Sequence, residues 1–159
     1  MSQKQQCFNN YMQIAIKEAV KGMRQNTKTA EIPIGCIIVD NTNGTIIAKS
    51  HNKIVQSNNP TQHAEIVCIN KALHKIKSDR LSNHSMYVTL EPCSMCAAAI
   101  ALVKIKKLYI GCLSQKTGAV ISNLNYFDTT LSNHKPEIFY PIMDKECKIL
   151  LTNFFKTLR

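Results

Sequence analysis

Strand-like and helix-like segments alternate along most of this chain, and this alternation limits the fold more than any other feature of the sequence. Apolar side chains at helical spacing within residues 8–24 predict an amphipathic first helix. The continuous apolar run Ile34–Val39 predicts a buried strand. The turn residues 40–44 and the segment Thr45–Lys49 then complete a β-hairpin. Because 159 residues suit one domain, we expect a single domain over residues 1–159.

The rest of the chain continues the same order of strands and helices. After the loop Asn52–Gln62, the predicted elements are a helix from His63 to about Lys77, a strand at Ser85–Leu90, a helix at Cys93–Val103 and a strand at Lys107–Cys112. A loop-rich stretch to about His134, a short strand at Glu137–Tyr140 and a last helix at Lys145–Leu158 follow. Strands that alternate with helices predict a sheet covered on both faces. We therefore expect an α/β fold, a three-layer α/β/α sandwich around a mixed five-stranded sheet. Its first pair should be antiparallel and its later strands parallel.

The charge balance indicates an anionic partner. Lys and Arg total 20 against 10 Asp and Glu, a formal net charge of +10. A small basic protein attracts polyanions, and RNA, DNA and acidic membranes are the candidates. An alternative is that the lysine-rich composition reflects an AT-rich genome. The sequence alone leaves both explanations open.

The cysteines argue for a reducing compartment. They number seven, an odd count, and only one pair is closely spaced; they are Cys7, Cys36, Cys68, Cys93, Cys96, Cys112 and Cys147. A secreted disulfide scaffold would be smaller, denser in cysteine and even in count. The polar amino terminus leads into no signal-type apolar run, and no stretch approaches the ~20 apolar residues of a membrane span. We therefore expect a cytoplasmic protein without a membrane partner, in which most isolated cysteines serve packing.

Two short motifs carry the chemistry, His63-Ala64-Glu65 and Pro92-Cys93-Ser94-Met95-Cys96. Each opens a predicted helix, and Cys93 and Cys96 at positions i and i+3 share one face of its first turn. His63 could supply a third ligand. One nitrogen and two sulfur ligands leave the fourth tetrahedral position open, which is typical of a catalytic rather than a structural zinc.

Glu65 suits proton transfer better than metal binding. On a helix, side chains at i and i+2 point roughly 200° apart, so Glu65 and His63 would diverge. A carboxylate beside a metal-activated water can take up a proton and return it.

Each motif alone has an ordinary alternative. The C-x-x-C pair could be a redox pair or half of a structural zinc site, His63 a capping or core residue, and Glu65 a compensating charge at a helix start. The combination is more specific, because H-x-E followed by P-C-x-x-C is the signature of the zinc-dependent nucleobase deaminases.

The chain resembles the bacterial tRNA-specific adenosine deaminases over nearly its whole length. The segments that carry the resemblance are Glu31–Gly35, Asn59–Glu65, Tyr87–Cys96, Lys116–Ala119 and Phe154-Phe155. The resemblance implies a cytidine deaminase-like fold, a homodimer with one Zn²⁺ per subunit, and conversion of adenosine to inosine at the wobble position of a tRNA anticodon loop.

The resemblance also implies roles for individual residues. His63, Cys93 and Cys96 match the zinc ligands, and Glu65 matches the proton shuttle. The residues expected to contact the substrate are Asn52, Ala64, Lys116, Asn133, His134 and Phe155. The chain departs from the family at His51, where Trp is frequent, and at Ser114, where an acidic residue is common.

Two other functions remain alternatives at this stage. One is a guanine or other free-base or nucleoside deaminase of the same fold, although a small neutral substrate needs no positive surface. The other is a non-catalytic RNA-binding zinc module, which would need a fourth protein ligand.

Overall fold

A five-stranded mixed sheet forms the centre of the molecule in the computed structural model, which describes residues 3–23 and 30–158, with side chains from Phe8 onward. The strands are β1 (Gly35–Asp40), β2 (Ile46–His51), β3 (His84–Leu90), β4 (Lys107–Cys112) and β5 (Glu137–Phe139). Their order in the sheet is β2-β1-β3-β4-β5. β1 is antiparallel to both β2 and β3, whereas β3, β4 and β5 are parallel. The mixed five-stranded sheet is therefore confirmed.

Helices cover both faces of this sheet. They are α1 (Gln3–Met23), α2 (Ile54–Ser57), α3 (Ala64–Ile76), α4 (Ser94–Leu102) and α5 (Asp144–Thr157), with one 3-10 turn at Tyr126–Asp128. Helices α1 and α5 pack on one face, and α3 and α4 pack on the other. The three-layer α/β/α architecture is confirmed. Within the described parts of the chain, no helix combines the length and apolarity needed to cross a membrane.

Strand alternation divides the core between the two faces. Ile38 and Met86 point towards α3 and α4, whereas their neighbours Ile37 and Tyr87 point towards α1 and α5. On the face covered by α1 and α5, the rings of Tyr87 and Tyr109 are stacked with their centroids 4.2 Å apart. The cysteines outside the C-x-x-C pair whose side chains are described are buried and free, as the packing interpretation predicts, and Cys7 lies outside the described side chains.

The strand register brings the important chain segments to one edge of the sheet. Gly35 at the start of β1 pairs with His51 at the end of β2, and Leu90 pairs with Cys112 where β3 and β4 end. We call this the upper edge: the side at which β2, β3 and β4 end and β1 begins. The chain segments that immediately follow β2, β3 and β4 therefore lie close together at the upper edge.

The structure differs from the sequence prediction in one loop. Residues 52–62 include the short helix α2, and the buried carboxylate of Glu31 accepts a hydrogen bond from the Gln56 N–H at 2.9 Å. This contact joins residues 25 positions apart, so local sequence patterns do not reveal it. Helix α1 also begins earlier than predicted, and residue 24, at its predicted end, lies outside the described residues.

Helix α1 lies directly against the backbone of β1, and this contact requires a glycine. A Cβ at Gly35 would lie 1.9 Å from the Ala15 carbonyl oxygen and 2.7 Å from the Ala19 nitrogen. We predict that Gly35→Ala destabilises the fold by about 2 kcal/mol, because backbone rather than a flexible side chain must move. Urea unfolding measures the loss, with Lys17→Ala on the exposed face of α1 as the control. Equal stability of both variants would contradict this packing.

Candidate active site

Three metal-ligating side chains converge at the upper edge. His63 is the N-cap of α3, Cys93 is the N-cap of α4, and Cys96 lies in the first turn of α4. The His63 Nδ1 atom is 3.6 Å from the Cys93 Sγ and 3.5 Å from the Cys96 Sγ. All three atoms lie within 4.8 Å of one another. The structure thus assembles side chains that are 30 and 33 residues apart in sequence.

The spacing of these atoms fits zinc. In a tetrahedral site with Zn–S of about 2.3 Å and Zn–N of about 2.1 Å, a nitrogen and a sulfur ligand are about 3.6 Å apart. The two observed nitrogen–sulfur distances, 3.6 and 3.5 Å, match that separation. Among the residues that the structure describes, this is the one group of three or more His, Cys, Asp or Glu side chains with metal-binding geometry. Three ligands leave one tetrahedral position for a non-protein group.

The two thiols of the pair have opposite pKa shifts. Hydrogen bonds from Cys96 and His63 lower the pKa of the Cys93 thiol to about 4. The Cys93 partner and burial raise the pKa of Cys96, and the hydrogen bond with Cys93 raises the pKa of His63. Because zinc binds thiolates, metal binding at these two cysteines would release their thiol protons.

Glu65 faces the same place from the first turn of α3. Its side chain is buried, and burial raises the pKa of its carboxyl group. It lines a small chamber of about 50 Å³ together with His63 and Cys93. A space of this size is large enough for at least one water molecule, which needs roughly 10–15 Å³ on this measure. A carboxyl group with a raised pKa beside such a space is suited to proton transfer.

The chamber adjoins a larger groove, with which it shares wall residues that include Ile34, Leu90 and Thr117. The groove has a volume of about 550 Å³. Three of the residues expected to contact the substrate, Asn52, Lys116 and Phe155, lie along it. The groove therefore adjoins the chamber that Glu65, His63 and Cys93 line.

Asn52 also fixes the start of α3. Its side chain is buried, and its Oδ1 accepts a hydrogen bond from the Ala64 N–H at 2.9 Å. Ala64 is fully buried and is not part of the groove wall. Its backbone N–H serves to position α3, which carries His63 and Glu65 at its start.

Lys116 and Phe155 differ in how they meet the groove. Lys116 is exposed on the loop after β4, so its ammonium group can move. Phe155 on α5 is 48% exposed, and its ring packs edge-on against buried Phe154 at 5.5 Å. Lys116 thus offers a mobile positive charge, and Phe155 offers an aromatic surface that packs on Phe154.

Asn133 and His134 lie elsewhere. Lys104 donates to both the backbone and the side-chain oxygen of Asn133 at 2.9 Å, and the His134 Nε2 is 2.6 Å from the Ile105 carbonyl oxygen. Ile105 lies just before β4 begins at Lys107, at the edge of the sheet opposite the upper edge. The six residues of β4 span about 20 Å. The structure does not bring these two residues to the groove within one subunit.

The two family departures have different surroundings. Ser114 lines the groove, and its hydroxyl lies 2.9 Å from that of Thr117. His51 precedes Asn52 at the end of β2, and burial lowers the pKa of its imidazole. Its Nδ1 is buried without a hydrogen-bond partner among the described residues. Ser114 can therefore meet a ligand directly, whereas His51 is not among the residues that line the groove.

Glu91 was not identified from the sequence as a site residue. Its carboxylate lies in the chamber wall and accepts hydrogen bonds from the loop that carries Lys116. Burial opposes its ionisation, but hydrogen bonds from Ser122, Ile121 and Ser114 outweigh that effect and lower its pKa. Its position directly before Pro92-Cys93 was the available signal.

Comparisons with known proteins agree with this geometry. Residues 5–112 match the family model of the cytidine and deoxycytidylate deaminase zinc-binding region. The tRNA-specific adenosine deaminase of Rickettsia felis is 43% identical over 93% of this chain and 100% of its own length.

Solved structures share the fold. One, from a study of A-to-I editing by tRNA:A34 deaminases at the wobble position, is 36% identical, with a TM-score of 0.84 over 89% of this chain and 99% of that chain. A guanine deaminase from Nitrosomonas europaea has a TM-score of 0.73 over 97% of this chain and 85% of that chain, but is 15% identical. That second likeness concerns the fold alone.

We predict that the purified protein binds one zinc ion per chain and that Cys96→Ala abolishes this binding, because two protein ligands hold zinc too weakly. Metal analysis by mass spectrometry after dialysis measures the stoichiometry. Cys68→Ala is the matched control, since Cys68 is also a buried thiol on a helix, and its Sγ lies 3.5 Å from the Cys36 carbonyl oxygen. Retention of zinc by Cys96→Ala, or its loss from Cys68→Ala, would contradict the assignment.

Proposed function

Because this chain belongs to the cytidine and deoxycytidylate deaminase family and, within it, to the tRNA-specific adenosine deaminases, we propose that it hydrolyses adenosine to inosine at the wobble position of a tRNA anticodon loop. The observation that carries the proposal is the open three-ligand centre with buried Glu65 beside it, at the inner end of a groove.

The metal would be held by His63, Cys93 and Cys96. When bound, zinc supplies a Lewis acid that makes water acidic near neutral pH. Cys96 and Glu65 are buried and His63 and Cys93 are half-buried, which strengthens electrostatic interactions among them. The ligand set leaves room for the attacking water and for no further protein ligand.

Glu65 would carry the proton through the reaction. Its carboxylate takes a proton from the attacking water and delivers it to the adenine ring nitrogen next to C6. It then takes the proton of the new hydroxyl group on C6 and passes it to the departing amino group, so that ammonia leaves and a carbonyl oxygen remains on C6. Burial, which raises the pKa of this carboxyl group, favours the protonated form that must donate.

The groove would bind the target nucleotide after it has turned out of the anticodon loop. The amide of Asn52 faces the ribose or base, Phe155 offers an aromatic surface for stacking, and Lys116 is placed for a phosphate. Contacts from Asn133 and His134 to RNA stay a prediction, because both lie at the other edge of the sheet.

An RNA substrate fits the groove better than a free base does. The groove is about ten times larger than the chamber beside Glu65, with about 550 and 50 Å³ respectively. A free base has no phosphate for Lys116 and no neighbouring nucleotide for the outer groove. The guanine deaminase alternative therefore leaves most of this surface without a ligand.

We further propose that the protein is a cytoplasmic homodimer of single-domain chains. Support comes from the resemblance to the tRNA enzymes and from Leu102 of α4 and Leu131, which are 59% and 73% exposed. Light scattering should give twice the mass of the 17.9 kDa chain. The mass of one chain would contradict the dimer, and recovery of the protein with membranes after cell fractionation would contradict the location.

We predict that Glu65→Gln lowers the rate of inosine formation in an anticodon stem-loop by about a thousandfold, because the amide cannot carry the proton. Zinc content should stay at one per chain, since Glu65 is not a ligand. Glu137→Gln on strand β5, whose carboxylate is 61% exposed, is the control. Normal activity of Glu65→Gln would overturn the role of this residue.

Normal turnover of free guanine or cytidine by the unmodified protein, without inosine in the RNA, would favour the free-base alternative.

We also predict that binding of the stem-loop weakens steeply with salt, because lysines release counterions from phosphates. If Lys116 contacts one phosphate, Lys116→Ala should reduce the slope of log K against log salt by about 0.7. Lys75→Ala is the control, since Lys75 lies in the last turn of α3, about 17 Å from its start. Binding that does not depend on salt would assign the +10 charge to composition alone.

A further inference from the structure

The carboxylate of Glu91 receives an unusual number of hydrogen bonds from a single loop. Oε1 accepts from the backbone N–H groups of Val120, Ile121 and Ser122 at 3.1, 2.7 and 2.8 Å. Oε2 accepts from the Ser114 N–H at 3.0 Å and from the Ser122 hydroxyl at 2.5 Å. Oε1 thus binds one end of the loop 114–122, and Oε2 binds both ends.

The loop closes tightly over this carboxylate. A Cβ at Gly118 would lie 2.2 Å from the Glu91 Oε2, so only glycine leaves the necessary space. A backbone hydrogen bond from Ala119 to the Pro92 carbonyl oxygen, at 2.9 Å, fastens the same loop to the next residue of the chain. The close approach of the loop to the Glu91 carboxylate therefore depends on the absence of a side chain at Gly118.

Glu91 connects this loop to the metal ligands. It precedes Pro92 and Cys93, and its own N–H donates to the Cys112 carbonyl oxygen at 2.9 Å, which fixes it at the upper edge. The loop contributes Ser114, Gln115, Lys116 and Thr117 to the wall of the groove. One buried side chain therefore lies between the metal centre and the surface on which the RNA would rest.

We propose that Glu91 is a positioning residue that holds the loop 114–122 as the substrate-binding wall of the groove, in register with the metal centre. This inference rests on the proposed function for the identity of the substrate. The inference adds that the affinity of the protein for RNA depends on the Glu91 carboxylate, although this carboxylate does not itself contact the RNA.

The chemistry requires a carboxylate at this position. All five donors point at oxygens, and an ionised carboxylate has only acceptors to offer, so each contact is charge-assisted. Glutamine has the same shape but replaces one oxygen by an NH₂ group. That group would face either three backbone N–H donors or the Ser114 N–H together with the Ser122 hydroxyl. The hydroxyl can turn to accept, but none of the backbone N–H groups can.

The test compares Glu91→Gln with Glu18→Gln. Glu18 is also a buried carboxylate, but it lies on α1 and pairs with Lys21 at 2.5 Å. We expect Glu91→Gln to raise KM for the stem-loop about tenfold and to change kcat by less than about threefold, because the wall is displaced while the metal ligands and Glu65 remain. Zinc content should stay at one per chain. Glu18→Gln should leave KM, kcat and zinc content unchanged.

Gly118→Ala approaches the same contact from the loop side. It removes no functional group, yet its methyl group must separate the loop from the carboxylate, so it should reproduce the effect of Glu91→Gln on KM. Lys116→Ala should weaken RNA binding in the unmodified protein but have little further effect in Glu91→Gln, because Lys116 is already misplaced there.

Hydrogen exchange separates this inference from the proposed function. In Glu91→Gln the amides of Ser114, Val120, Ile121 and Ser122 should exchange faster, with α3 and α4 unchanged, whether or not the RNA is a substrate. If the unmodified protein forms no inosine but these amides respond, the proposed function fails and the positioning role stands. An unchanged KM with unchanged exchange would overturn the positioning role. Loss of kcat together with zinc would also overturn it, because Glu91 would then support the metal ligands instead.

Discussion

The structure depends on the meeting of two helix starts at one edge of a sheet. The N-cap of α3 supplies His63, and the start of α4 supplies Cys93 and Cys96, so the metal centre exists only where both helices begin beside each other. The parallel pairing of β3 with β4 and the antiparallel hairpin bring the preceding segments to that edge. The nitrogen–sulfur separations of 3.6 and 3.5 Å follow from that arrangement.

Two buried polar side chains hold the two sides of the site in place. Asn52 binds the Ala64 N–H and so fixes the helix that carries Glu65. Glu91 binds the loop that carries Lys116. Each satisfies backbone donors that would otherwise be unpaired in a buried place, which costs about 1–3 kcal/mol per group. These two side chains orient the groups that meet the substrate and take no part in proton transfer.

The strands and the layers could be predicted from the sequence, because each depends on short-range patterns. The grouping of His63 with Cys93 and Cys96, which lie 30 and 33 residues away, was indicated only by the combination of the two motifs. Apolar periodicity identified β1 and β3, and the spacing between Cys93 and Cys96 identified two ligands on one helical turn. The short helix α2 was missed because its N–H partner, Glu31, lies 25 residues away. The role of Glu91 was missed for the same reason, since its donors lie 23 to 31 residues further along the chain.

The resemblance to the tRNA-specific adenosine deaminases did not reveal where Asn133 and His134 lie in the fold. They follow a long loop that begins at the upper edge and ends beside Ile105 at the opposite edge, and no local pattern reports that path. Their contacts with Lys104 and Ile105 give them a packing role within the subunit. A role towards RNA at these positions would require a surface other than the groove.

The central claim is that a water molecule held beside Glu65 and the three metal ligands becomes the oxygen of inosine. Incubation of an anticodon stem-loop with the protein in water enriched in oxygen-18, followed by mass analysis of the released nucleosides, tests it most directly. The account predicts that each inosine formed at the wobble position carries one labelled oxygen, at C6. Inosine formed without the label, or no inosine at all from the zinc-loaded protein, would contradict it.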